Sequence, residues 1–108
     1  MSAIQGTYKN DNINATLVIS QANDANGQIT AGTLAYGGCT YQITGHYHFK
    51  NSTGPTTVIY VCGGDPTIGV VSFSLAAGDM SFKVLKSFGG FVDYNNNAIG
   101  LGGAFLKQ

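Results

Sequence analysis

The segment Tyr41-Gln42-Ile43-Thr44-Gly45-His46-Tyr47-His48-Phe49 alternates apolar and polar side chains almost without interruption. Tyr41, Ile43, Tyr47 and Phe49 fall on one side and Gln42, Thr44, His46 and His48 on the other, the period-two signature of a strand with one face in a core and one in water. Comparable segments recur at spacings of roughly 10 to 14 residues, so the chain reads as a succession of short strands. They cover 4–10, 14–20, 28–36, 41–49, 56–62, 69–75, 80–87 and 98–106. Between them lie residues that turn a chain. Asp11-Asn12, Asn26-Gly27, Gly37-Gly38, the Lys50 to Pro55 loop, Gly63-Gly64-Asp65-Pro66, Ala77-Gly78-Asp79 and Gly89-Gly90 are the expected breaks. The run Thr56 to Cys62 is more uniformly apolar than the rest, as expected where both faces of a strand are covered.

Glu and Arg are absent, and charged residues make up only 9% of the chain, so the side chains that keep exposed helix faces helical and soluble are missing. The chain is expected to be all-β. Its 108 residues suit one domain spanning 1–108. Short connections between sequential strands favour an up-and-down antiparallel order, and eight such strands can close on themselves and lose both sheet edges. An eight-stranded antiparallel up-and-down β-barrel is therefore the expected fold, with a two-sheet β-sandwich as the alternative.

Five Lys balance five Asp, and no basic cluster exists to neutralise a phosphate backbone, so nucleic acid is not an expected partner. Weak charge also removes the repulsion that keeps copies apart, and a homo-oligomer is expected. Gly100, Gly102 and Gly103 in the last strand mark a bulge, a barrel corner, or close approach by another backbone such as a neighbouring subunit. No stretch approaches the ~20 apolar residues of a membrane helix, so membrane insertion is not expected. The opening Met1-Ser2-Ala3-Ile4-Gln5-Gly6 has no basic-then-apolar leader, which points to a cytoplasmic location with export by a signal-less route left open.

Cys39 and Cys62 permit one disulfide, though reduced thiols are the plainer expectation. His46 and His48 share a strand face but lack the third and fourth ligands a zinc site requires, so no metal site is expected. No Gly-x-Ser-x-Gly elbow or phosphate-cradling loop occurs, and nothing assembles a nucleophile with a base, so the chain is read as non-catalytic and without a cofactor.

Beyond these patterns, Ile4-Gln5-Gly6-Thr7-Tyr8-Lys9-Asn10 resembles the Gly-x-Trp-x-Asn opening strand of the avidin and streptavidin family, with Tyr8 in place of tryptophan. Gly27 to Leu34 is similar to that family's third strand, and Tyr41 to Tyr47 to its Leu-Thr-Gly-Arg-Tyr strand. Val84-Leu85-Lys86-Ser87 is similar to its penultimate strand, and Ile99 to Lys107 to its closing Val-Gly-x-Asp-x-Phe-x-Lys. The resemblance spans nearly the whole chain and implies an eight-stranded barrel, often tetrameric, that holds biotin at one end. Asn10 matches the family's ureido-facing Asn. The Gly-Ser that should follow is Ile13-Asn14 here, the third-strand Tyr is Leu34, and the terminal Asp is glycine at Gly102 or Gly103. No tryptophan is present to wall a biotin. Each such ring buries about 150 to 250 Å², and at about 25 cal/mol per Å² the loss of several amounts to many kcal/mol. Tight biotin binding is not expected.

The expected function is therefore a binding module for a small molecule, a glycan or a protein. Its ligand residues are expected among Asn10, Asn14, Leu34, Tyr36, Tyr47, Phe73, Tyr94 and Asn95, with the 93–97 and Lys50 to Pro55 loops as contact surfaces, since aromatic and small polar groups together suit recognition. A structural protein whose function is its own oligomer is the alternative. A small barrel enzyme is the weaker one, and would need a histidine or aspartate of shifted pKa in a cleft.

Overall fold

Alternation, read strand by strand, accounts for how this chain buries its apolar side chains. In the computed structural model, which describes residues 2–49 and 56–108, eight strands pair in sequence order into a closed antiparallel barrel. They are β1 (Gly6–Asn10), β2 (Ala15–Asn23), β3 (Gln28–Tyr36), β4 (Cys39–Phe49), β5 (Thr57–Asp65), β6 (Gly69–Ala77), β7 (Val84–Asp93) and β8 (Ala98–Lys107). No helix occurs among the described residues. The sandwich alternative fails because β1 pairs with β8, through Tyr8 opposite Lys107 and Lys9 opposite Leu106.

That closing seam is shorter than any other ladder, and side chains lengthen it. The Asn10 amide donates to the Gly102 carbonyl at 3.0 Å, and the backbone N–H of Gln108 donates to Thr7 O at 2.9 Å. Lys107 donates from Nζ to Ala3 O at 2.6 Å, with the ammonium 5.7 Å from the centre of the Tyr8 ring.

The inward positions form one core. Tyr8, Leu17, Leu34, Tyr41, Ile43, Tyr47, Phe73, Leu85 and Phe105 are all essentially inaccessible to solvent. Phe73 and Phe105 meet edge to face at 5.4 Å, an arrangement that favours aromatic pairs beyond their area alone. Among the described residues, these side chains occupy the barrel interior.

Three expectations need correction. Gly63-Gly64-Asp65 does not break β5, and Gly89-Gly90 lies inside β7. Gly63 sits where a Cβ would collide with the Gln42 carbonyl and come 2.9 Å from the Ile43 side chain, and at Gly89 a Cβ would come 2.5 Å from the Phe73 ring. These glycines make room and do not turn the chain. The strand expected from Met80 begins only at Val84, because the Asp79 carboxylate accepts the Ser81 N–H at 2.9 Å and curls the chain there. Phe82 then adopts a left-handed φ of 54° and buries its ring beneath the core. Finally, β5 is not covered on both faces: Val58 and Tyr60 point outward and are exposed.

Candidate functional site at the barrel rim

Up-and-down order gathers alternate turns at each end. The β1–β2, β3–β4, β5–β6 and β7–β8 turns share one end, called here the rim. Of the residues expected to bind, Asn10, Asn14, Tyr36, Tyr94 and Asn95 are brought to the rim.

Tyr36 ends β3 and is half-buried, because the next two residues, Gly37 and Gly38, turn the chain with φ of 62° and 81° and cover nothing. A Cβ at either would meet no atom within 4 Å. The Tyr36 ring lies 5.9 Å from Phe91, which lies 6.1 Å from Tyr41. Ile13, Cys39 and Ile68, also half-buried, pack on the core at this end. A cleft of about 470 Å³ opens beside the Gly37-Gly38 turn, lined by Ile13, Asn14, Thr16, Tyr36, Cys39 and Thr40 among others. Asn14 holds a left-handed φ of 53°, a conformation asparagine tolerates better than most residues, and this sets the edge of the cleft.

The polar rim groups Asn10, Asp93 and Asp65 are already engaged. Asn10 is buried, and its oxygen accepts the Asn12 N–H at 3.0 Å while its amide holds Gly102. Asp93 accepts from the backbone N–H groups of Asn95 and Asn97 and from the Asn97 side chain, so the 93–97 loop is a turn organised by one carboxylate. Tyr94, 72% exposed, leaves its ring free in solvent. Asp65 is tied in the same way to Thr67. These hydrogen bonds hold the carboxyls of Asp65 and Asp93 below the ordinary carboxylate value, Thr67 acting on the first and Asn97 on the second. A carboxylate stabilised in this way is poorly matched to proton transfer near neutral pH.

Other expected site residues lie elsewhere. Leu34 and Phe73 are core residues, 0% and 2% exposed, with no surface to offer. Tyr47 sits at the end opposite the rim, where its hydroxyl donates to Asp24 at 2.5 Å. Burial first, and this bond second, push its phenol up to about 12. The Lys50 to Pro55 loop lies outside the described residues. Cys39 and Cys62 are free thiols. Cys62 is opposite Thr44, five positions along β4 from Cys39, and the two side chains face opposite sides of the barrel wall. At about 3.3 Å per residue, that offset far exceeds the reach of a disulfide. Among the described residues no three His, Cys or Asp side chains gather as metal ligands.

Sequence reasoning missed Phe91, Ile13 and Ile68. Phe91 was hidden by the assumption that Gly89-Gly90 ends a strand; continuing the alternation Leu85, Ser87, Gly89, Phe91 would have found it. Ile13 and Ile68 sit in turns, where no periodicity assigns a face.

No family model, curated protein or solved structure matches the chain. Among the described residues, no helix is long and apolar enough to cross a membrane.

Proposed function

We propose that the chain is a non-catalytic recognition barrel that takes a small-molecule or carbohydrate-like ligand at its rim. The observation that carries this is the half-buried pair Tyr36 and Phe91, backed by the buried Tyr41 ring, with Tyr36 lining an open cleft at the end of a barrel whose interior is occupied by side chains among the described residues. An aromatic face offers a large contact area at small entropic cost, and the neighbouring Asn14, Thr16 and Thr40 supply adaptable polar groups. A ligand would rest on the Tyr36 and Phe91 rings and not enter the barrel.

Likeness to the avidin family belongs to this reading. Strand number, order and closure are those the resemblance implies, and the proposed site lies at the end where Asn10 stands. The site itself is a different one, because Asn10 is spent on the closing seam and Leu34 and Phe73 on the core. Biotin is expected to bind no better than micromolar; calorimetry checks this.

The rim is tested by backbone amide shifts during a fragment and monosaccharide screen. Ligands are expected to move 10–16, 36–41 and 91–97 together, and Tyr36→Ala should abolish those shifts while leaving the dispersed spectrum intact. Shifts clustering around Asp24 and Tyr47 at the other end would overturn the assignment.

A further inference from the structure

Charge is divided unevenly between the two ends of the barrel. Asp11, Asp65 and Asp93 stand at the rim, in or beside the β1–β2, β5–β6 and β7–β8 turns. Of the described lysines, Lys83, Lys86 and Lys107 belong to the other end, with Asp24 and Asp79. Lys9 faces outward from β1, since its neighbours Tyr8 and Asn10 are buried. The rim is therefore acidic.

Two of these carboxylates belong to its inner lip. Alternation along β5 and β7 places Asp65 on the side of Ile59 and Val61, and Asp93 on the side of Leu85 and Phe91, which is the core side. Both lie opposite Gly69 in neighbouring ladders. A Cβ at Gly69 would strike the Val92 carbonyl, and the glycine leaves no side chain between the two acids. Two strand spacings of about 4.8 Å set their backbones roughly 10 Å apart. Turn hydrogen bonds from Thr67 to Asp65, and from Asn97 and Asn95 to Asp93, keep both ionised, and these neutral donors cancel none of the charge.

A buried hydroxyl points at the same space. Three tyrosines are buried in the core, of which Tyr8 donates to Ile4 O and Tyr47 to Asp24. The Tyr41 hydroxyl has no hydrogen-bond partner among the described residues, although Tyr41 is only 1% exposed. Its ring lies 6.1 Å from Phe91. Burial first, and then Cys39, Asp65, Tyr36 and Asp93, raise its pKa. Those four are all rim groups, so the hydroxyl is directed at the mouth. Leaving it unpaired costs stability that a ligand would restore.

We infer that the ligand taken at the rim is a protonated primary or secondary amine, an inference that rests on the rim being the ligand site. Its ammonium sits inside the lip between Asp65 and Asp93 and donates to the Tyr41 hydroxyl, with the Tyr36 and Phe91 rings alongside. Aromatic faces attract a cation, and two carboxylates hold it where an anion would be repelled. Tyr36 also borders the cleft beside Gly37 and Gly38, where the rest of the molecule lies. A bare calcium ion is a poor occupant, because it takes about six or more oxygen ligands. Among the described residues no three His, Cys or Asp side chains gather to begin such a set.

Benzylamine, benzyl alcohol and benzoate share one ring and differ in charge. Titrating each into the full chain, with backbone amide shifts as the readout, tests the inference. Benzylamine is expected to move 36–41, 63–69 and 91–95 and to bind about tenfold more tightly than benzyl alcohol, with benzoate weakest. Added salt should narrow that gap. Asp65→Asn and Asp93→Asn should each weaken benzylamine by about threefold while leaving benzyl alcohol unchanged, and Tyr41→Phe should also weaken the amine. Equal affinities for amine and alcohol at the rim would overturn this inference and leave the rim as a site for neutral ligands. Amine binding indifferent to both aspartate substitutions would overturn it as well. Shifts confined to the end of Asp24 and Tyr47, or no shift with any of the three, would overturn the rim reading along with it.

Discussion

Tyr8, buried in the core, donates its hydroxyl to Ile4 O at 2.6 Å, and burial pushes its phenol up to about 12. Tyr47 is raised to a similar value, and Tyr41 is raised by burial before any neighbouring charge. A phenol whose pKa rises on folding binds its proton more tightly in the native state, so its contribution is complete below the ordinary value near 10 and lost as pH climbs towards 12. Denaturation midpoints are expected to hold steady up to about pH 10 and then fall, with three of six tyrosines ionising late or only on unfolding. Spectrophotometric titration of phenolate checks this; six tyrosines ionising together near their ordinary value would refute it. The opposite sign applies to Asp65, Asp79 and Asp93, whose turn hydrogen bonds lower their pKa. Their contribution is present above the ordinary carboxylate value and is lost as acid carries pH below it. At this scale the sequence was half legible. Asn10 was readable as a special residue, but whether its amide serves a ligand or the seam depends on Gly102 lying across the closure, a contact 92 positions away.

Strands were legible wherever polar and apolar residues alternate, which is why β3 and the core face of β4 match their expected residues. Glycine blurred the rest, because it serves two opposed purposes here. Gly37 and Gly38 bend the chain with positive φ, whereas Gly63 and Gly89 let a neighbouring strand or ring come close. The sequence writes both as Gly-Gly. The distinction gives a paired prediction. Gly89→Ala would drive a Cβ into the Ser72 carbonyl and the Phe73 ring, and should destabilise the barrel by about 3 kcal/mol or more. Gly100→Ala, facing open space, should instead stabilise the barrel by about 0.5 to 1 kcal/mol. Urea unfolding of both variants decides the matter; equal effects would mean the two glycines do the same work.

For the whole molecule, one structural fact fixes where chemistry can happen. Among the described residues, Tyr8, Tyr41, Tyr47, Phe73 and Phe105 occupy the interior of the closed barrel, so the surfaces open to a ligand are its ends and its outer wall. Composition made the all-β class legible, and the number of apolar segments made closure legible. Neither could show that the interior is full, since that depends on which large side chains meet at one height. The outer wall was read wrongly for a related reason: Thr56 to Cys62 looked doubly covered because Val58 and Tyr60 are apolar although they face outward. Closure rests on the thin ladder between β1 and β8, and amide hydrogen exchange measures it directly. The N–H groups of the β1–β8 seam that bond across it, including Gln108 to Thr7, should be protected to nearly the same degree as those in the middle of β5 and β6. Rapid exchange along both terminal strands, with protection confined to β2 through β7, would mean two free edges and no barrel.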